Sequence, residues 1–182
     1  MKISTRRIAV GTASLAVAAT AFTSAAPTLA AASTTTTTTD ATTTVTQRGI
    51  PKIVQDWAGA WNSTSSTKLA DLFTKDGVFI DYGVNKTMTG RDQIIAWKVG
   101  TDQLIADVDI SVLNAFRSGN NVAIETIYSG HIYGAPRGFA VHGTTILELS
   151  RGKIAVNRDN YSLATLLAQS GLPADWTPPT GS

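Results

Sequence analysis

From Val108 to Tyr161 the chain alternates apolar and polar residues through four successive stretches, broken by short turns. Val108, Ile110, Val112 and Phe116 alternate with Asp109, Ser111 and Arg117, a period of two that marks a strand buried on one face. Ser118-Gly119-Asn120, Gly134-Ala135-Pro136-Arg137-Gly138 and Arg151-Gly152 then reverse the chain into Val122–Tyr133, Phe139–Leu149 and Lys153–Tyr161. Three hairpins in a row predict an antiparallel meander. Its apolar face has to be covered by something else.

Helical segments supply the cover. Ile50, Ile53, Val54, Trp57 and Trp61 recur at helical spacing, with Pro51 suited to the first turn. Leu69, Leu72 and Phe73 predict a second short helix, which Asp76-Gly77 breaks before a strand over Val78–Tyr82. Asn85 to Thr89 reads as a loop or a short edge strand. Gly90-Arg91-Asp92 opens a third helix carrying Ile94, Ile95, Trp97 and Val99. Ser162 caps a last helix with Leu163, Leu166 and Leu167 on its packed side, ended by Gly171-Leu172-Pro173. The order predicts an α+β fold, a curved antiparallel sheet with helices on its concave face.

Residues 1–32 read as an export signal. Lys2, Arg6 and Arg7 precede an apolar stretch, Ile8 to Phe22, and small residues suited to cleavage follow. The paired arginines fit twin-arginine export, and an ordinary secretory signal fits equally well. The expected location is therefore outside the cytoplasm, with no stable membrane insertion once the signal is removed. Residues 33–49, dominated by Thr between Ser33 and Thr46, have no apolar periodicity to offset the entropy of ordering and read as a disordered linker. One folded domain is expected over residues 50–175 and a flexible tail over 176–182.

Loss of the signal leaves 12 Lys and Arg against 13 Asp and Glu. No basic run with interleaved aromatics remains, so nucleic acid is not an expected partner. The absence of Cys excludes disulfides, thiolate metal sites and a Cys nucleophile. No Gly-rich phosphate loop or Gly-x-Ser-x-Gly elbow occurs, which removes nucleotide-binding and serine-hydrolase readings.

Asp76-Gly77-Val78-Phe79, Gly90-Arg91-Asp92, Gly152-Lys153-Ile154, Arg158-Asp159 and Leu166-Leu167-Ala168-Gln169-Ser170-Gly171-Leu172, in that order and spacing, resemble the nuclear transport factor 2-like superfamily. The likeness is to its SnoaL-like and limonene-epoxide-hydrolase-like branches and covers almost all of residues 50–172. It implies a cone whose sheet and helices enclose a deep apolar pocket, used for proton transfers, hydrations, cyclisations or binding alone. It also implies a homodimer.

The family's catalytic sets carry over only in part. The second Asp of the epoxide-hydrolase Asp-Arg-Asp set falls on Asp159, while its Arg and first Asp fall on Thr126 and Tyr128. That branch's pocket Asn and Tyr fall on Asp81 and Phe79. The cyclase His falls on His131, and the Asp it pairs with falls on Thr145. Tyr82, in Ile80-Asp81-Tyr82, is similar to a water-holding Tyr of scytalone-dehydratase-like members.

The resulting candidates are Asp159, Asp81 and His131 for proton transfer. A buried carboxylate has a raised pKa, two neighbouring carboxylates split theirs, and His titrates near neutrality. Parity opposes Asp159, because Ile154 and Val156 share one face of the last strand and Asn157, Asp159 and Tyr161 the other. Only a bulge would turn both sets inward. The bland alternatives are a surface Asp159, Asp81 paired with Arg91 or Lys86, and a structural His131. Tyr128, Tyr133, Thr126, Asn157, Phe79, Tyr82, Trp57, Trp61 and Trp97 are candidate substrate-contacting or wall residues; His142 reads as solvent-facing. The spacing of His and Asp matches no metal-ligand pattern, so neither metal nor organic cofactor is expected. The expected function is exported, cofactor-free acid–base chemistry on an apolar small molecule such as a polyketide or terpenoid: cyclisation, isomerisation, dehydration or epoxide opening. The alternative is a non-catalytic module that binds a ligand or another protein.

Overall fold

The computed structural model describes residues 49–178, so the expected export signal and all but the last residue of the Thr-rich linker lie outside the described residues. Four helices, α1 (Lys52–Trp61), α2 (Ser66–Asp71), α3 (Arg91–Leu104) and α4 (Leu163–Ser170), accompany six strands. The strands are β1 (Phe73–Asp81), β2 (Lys86–Thr89), β3 (Ile105–Ser118), β4 (Asn121–Ile132), β5 (Phe139–Ser150) and β6 (Lys153–Tyr161). They form one curved, open sheet in the order β2-β1-β6-β5-β4-β3.

β3 to β6 are the expected meander, and Arg151 and Gly152 both take positive φ in the tight turn between β5 and β6. The final helix is also as expected: Ser162 Oγ accepts from the Thr165 N–H at 3.2 Å, and Gly171 terminates α4 with a φ of 76°. Two features differ. Phe73 begins β1 rather than ending a helix, because it pairs with Ile154 and its ring packs 6.3 Å from that of Phe79. The sheet is also mixed rather than purely antiparallel, since β6 returns beside β1 in parallel. That pairing sets Asp81 directly beside Asp159.

A bulge in β6 resolves the parity conflict. Leu149 pairs with Ile154, but the next β5 residue, Glu148, pairs with Val156, leaving Ala155 as an extra residue. Ile154 and Asn157 are therefore both fully buried although they are three positions apart. Every side chain beyond the bulge is displaced by one face.

The main core gathers Val54 and Trp57 of α1, Leu69 of α2, Phe79 of β1, Ile94 of α3 and Leu147 of β5. Burying each such side chain contributes about 1.5–3 kcal/mol. A second cluster joins Ile132, Phe139 and Val141 to Leu166 and Leu167, and so fastens α4 to the sheet. Among the described residues no helix is long and apolar enough to cross a membrane.

Candidate acid–base site

A cavity of about 560 Å³ opens between the inner face of the sheet and the helices. Trp57, Trp61 and Trp97 line it from α1 and α3, Thr126 and Tyr128 from β4, and Thr145 from β5. Asp81, Asp159 and Tyr161 stand on its polar side, with Lys86, Thr101, Thr144 and Asn160 also in the wall.

Asp159 is held by a chain of neutral donors. The Trp57 indole N–H donates to Asn157 Oδ1 at 2.9 Å, which turns the Asn157 amide nitrogen toward Asp159. That nitrogen and the Thr145 hydroxyl each donate to Asp159 Oδ1 at 2.7 Å. Oδ1 is thus occupied, and Oδ2 has no hydrogen-bond partner among the described residues. Asp81 is held differently: the Val84 N–H donates to one oxygen at 3.1 Å and the Tyr161 hydroxyl to the other at 3.2 Å. Gly83 makes room for that hydroxyl, since a Cβ there would lie 2.4 Å from Tyr161 Cζ.

Burial pushes the Asp159 carboxyl up to about 7, opposed by its bonds from Thr145 and Asn157 and reinforced by the charge of Asp81. Burial also raises Asp81, but bonds from Val84, Tyr161 and Gly83 oppose the rise. The two titrate as a pair. With both oxygens receiving hydrogen bonds, Asp81 is the member that holds the negative charge, and Asp159 is the one that exchanges a proton near neutrality. Tyr128 and Tyr161 are pushed upward by burial and then by the carboxylates, so both remain protonated donors.

The ion pairs of the described residues are Lys52–Asp56, Arg91–Asp71, Lys98–Asp102 and Arg158–Glu148. None reaches Asp81 or Asp159, so the expected alternative of Asp81 paired with Arg91 or Lys86 is not what the structure holds.

Not every candidate from the sequence reaches the cavity. On β4 the even positions face inward: Val122, Ile124, Thr126 and Ile132 are buried. His131 and Tyr133 therefore point the other way. His131 is exposed, and its Nε2–H donates to the Ala135 carbonyl at 2.9 Å; Tyr133 is 62% exposed. Tyr82 is 50% exposed, one residue out of phase with inward-facing Asp81. Phe79 is fully buried beneath the cavity, its ring 5.8 Å from Trp61 and 6.5 Å from Trp97. Asn157 also lies behind the wall, as a positioning residue. His142 is exposed, as the sequence predicts.

Sequence reasoning missed Tyr161, although it shares the parity of Asp159. It also missed Trp176, Thr177 and Pro178, which line the cavity from within the segment expected as a tail.

The Trp57 bond can be tested alone. In Trp57→Phe the buried Asn157 oxygen loses its donor, which costs about 1–3 kcal/mol. Urea unfolding should show that loss with an unchanged m-value; an unaltered midpoint would mean the bond is not made.

An open curved sheet around a small-molecule chamber, with acid–base groups on its inner wall, is the architecture of ketosteroid isomerase-like proteins. Residues 54–157 match the family model described as a SnoaL-like domain, and the chain belongs to that family. A protein of ketosteroid isomerase-like fold from Catenulispora acidiphila, solved in complex with trimethylamine, is 48% identical over 70% of this chain and 98% of its own, with a TM-score of 0.70. A Shewanella denitrificans protein assigned as a SnoaL-like polyketide cyclase is 19% identical over 65% of this chain and 93% of its own, at a TM-score of 0.59. IdmH from Streptomyces antibioticus, assigned as a polyketide cyclase, is 20% identical over 66% and 97%, also at 0.59. The last two show the shared fold. No curated protein matches the chain.

Proposed function

We propose that the protein is a cofactor-free acid–base enzyme, an isomerase or cyclase acting on a small molecule with an acidic C–H beside a carbonyl. The observation that carries this reading is Asp159: one oxygen fixed by two donors, the other free, and a proton affinity matched to neutral pH. Ionised Asp159 takes the proton from carbon through Oδ2. The electron pair moves onto the carbonyl oxygen, which accepts a hydrogen bond from the Tyr128 hydroxyl in the cavity wall. Asp159 then returns the proton to a different carbon, or the enolate closes a ring onto an electrophilic carbon of the same molecule. Asp81 keeps its charge throughout, adding to the rise that burial gives Asp159.

The largely aromatic and aliphatic wall suits a polyketide or terpenoid skeleton, and the trimethylamine bound to the similar Catenulispora protein supports including small organic amines among the first ligands tried. Export, from residues 1–32, is part of the same proposal; cell fractionation tests it.

The test is proton exchange itself. A panel of 1,3-dicarbonyl and β,γ-unsaturated carbonyl compounds in D2O, followed by NMR, should show enzyme-dependent α-deuteration. The working form is ionised Asp159, so the rate should rise with pH through about 7 and level off above it. A rate that is flat between pH 5 and 9 would remove Asp159 as the base. Thermal stabilisation by compounds that undergo no exchange would favour the binding-module reading, to which the missing Arg and cyclase Asp at Thr126 and Thr145 give support.

A further inference from the structure

We propose that the natural substrate is cationic, an apolar skeleton bearing a substituted ammonium or amine group that Asp81 holds while Asp159 moves the proton. The inference deepens the acid–base reading of this site and rests on it. Two carboxylates stand side by side on the adjoining strands β1 and β6, and their protein partners are all neutral: Val84 N–H, Tyr161, Thr145 and Asn157. Two acids in an enclosed space with no cationic partner are unfavourable unless a guest brings the charge.

The rest of the wall is also suited to a cation. Trp57, Trp61, Trp97, Tyr128, Tyr161 and Trp176 line the same cavity, and their ring faces carry negative potential. Tyr128 and Tyr161 stand edge to face at 5.6 Å. Substituted ammonium groups are held by this combination, aromatic faces around the alkyl groups and a carboxylate for the net charge. A neutral or anionic substrate would leave Asp81 without a cationic partner and would face repulsion when its enolate forms. A positive nitrogen near the acidic carbon neutralises both.

The charged groups around the pair are few. Lys86 on β2 lies opposite Asp81 in register and lines the cavity, yet forms no ion pair with it. Asp102 on α3 is paired with Lys98, which is buried 5.8 Å from the Trp61 ring centroid. Tyr128 on β4 and Tyr161 on β6 stay neutral. Cation binding should therefore strengthen as pH rises and the carboxylates ionise, and weaken as pH falls.

The probes are choline and its neutral isostere 3,3-dimethylbutan-1-ol, titrated calorimetrically into the purified protein. The expected result is a preference for choline of at least about tenfold at pH 8.5, which weakens as pH falls through about 7 and Asp159 takes up a proton. Asp81→Asn should abolish the preference, bringing the choline and alcohol affinities to within about threefold of each other at pH 8.5. Should that variant fail to fold, the pH dependence in the unaltered protein decides alone. Equal affinities at pH 8.5, or a preference independent of pH, overturn the proposal. Its failure is separable from failure of the acid–base reading: Asp159-dependent deuteration without a choline preference rejects only the cationic substrate. A choline preference without deuteration rejects only the chemistry and leaves a cation-binding protein.

Discussion

Asp159→Asn is expected to slow deuteration of a responsive substrate about 10²–10⁴-fold, the usual contribution of a positioned base, and at the same time to raise the melting temperature at pH 8. The two effects share one cause. The Asp159 carboxyl lies at about 7 in the fold against 3.8 outside it, mainly because burial penalises its charge. Between those values the folded state binds more protons than the unfolded state, so stability falls as pH rises and then stays low above about 7. At about 1.4 kcal/mol for each tenfold change in proton affinity, the charge costs on the order of 4 kcal/mol at pH 8. Asn keeps an oxygen acceptor for Thr145 but carries no charge. The variant should therefore melt several degrees higher at pH 8, with the gain vanishing near pH 4. Unchanged exchange would exclude Asp159 as the base, and a lower melting temperature at pH 8 would contradict the buried-charge account.

Deleting Arg158 should be more damaging than any single substitution in the site. Loss of Ala155, the extra residue, would only restore plain alternation, with Ile154, Val156 and Asn157 keeping their partners and their faces. Loss of Arg158, beyond the bulge, moves Asp159, Asn160 and Tyr161 each to the opposite face. Asp159 would turn to solvent and lose its bonds from Thr145 and Asn157, Tyr161 would leave Asp81, and Asn160 would take the place beside it. The expected result is loss of exchange by at least the factor expected for Asp159→Asn, together with a lower urea midpoint, since each buried polar group left unpaired costs about 1–3 kcal/mol. A deletion that kept exchange intact would show that the strand takes up the loss at Ala155 and restores its register.

Much of the fold was legible in the sequence because the meander repeats one signal four times and the turns carry Gly where positive φ is needed. The site was legible only in part, for reasons of parity. Thr126 and Tyr128 lie an odd number of residues from His131 and Tyr133, so in one regular strand the pairs had to face opposite ways; the family likeness of His131 outweighed that rule, and the strand obeyed it. Asp159 was the reverse case. Its inward position depends on a bulge at Ala155, and nothing about Ala at that position announces one. Tyr161 was available from the same alternation that leads from Asn157 to Asp159. Thr145 stood out only as a departure from a cyclase Asp, yet its hydroxyl orients the carboxylate. The parallel return of β6 beside β1 had no local signal, because pairing between distant segments is decided by the closure of the whole sheet.

That return dictates when the cavity wall is completed. β6 is made last but slots between β1 and β5, so a chain still emerging from the ribosome has a gap in mid-sheet with two raw edges waiting to be filled. The pair of acids does not exist in any unfinished form, and a product cut short before residue 159 is an incomplete fold rather than a weakened catalyst. Synthesis of the last strand, closure of the sheet and assembly of the carboxylate pair coincide in one late event.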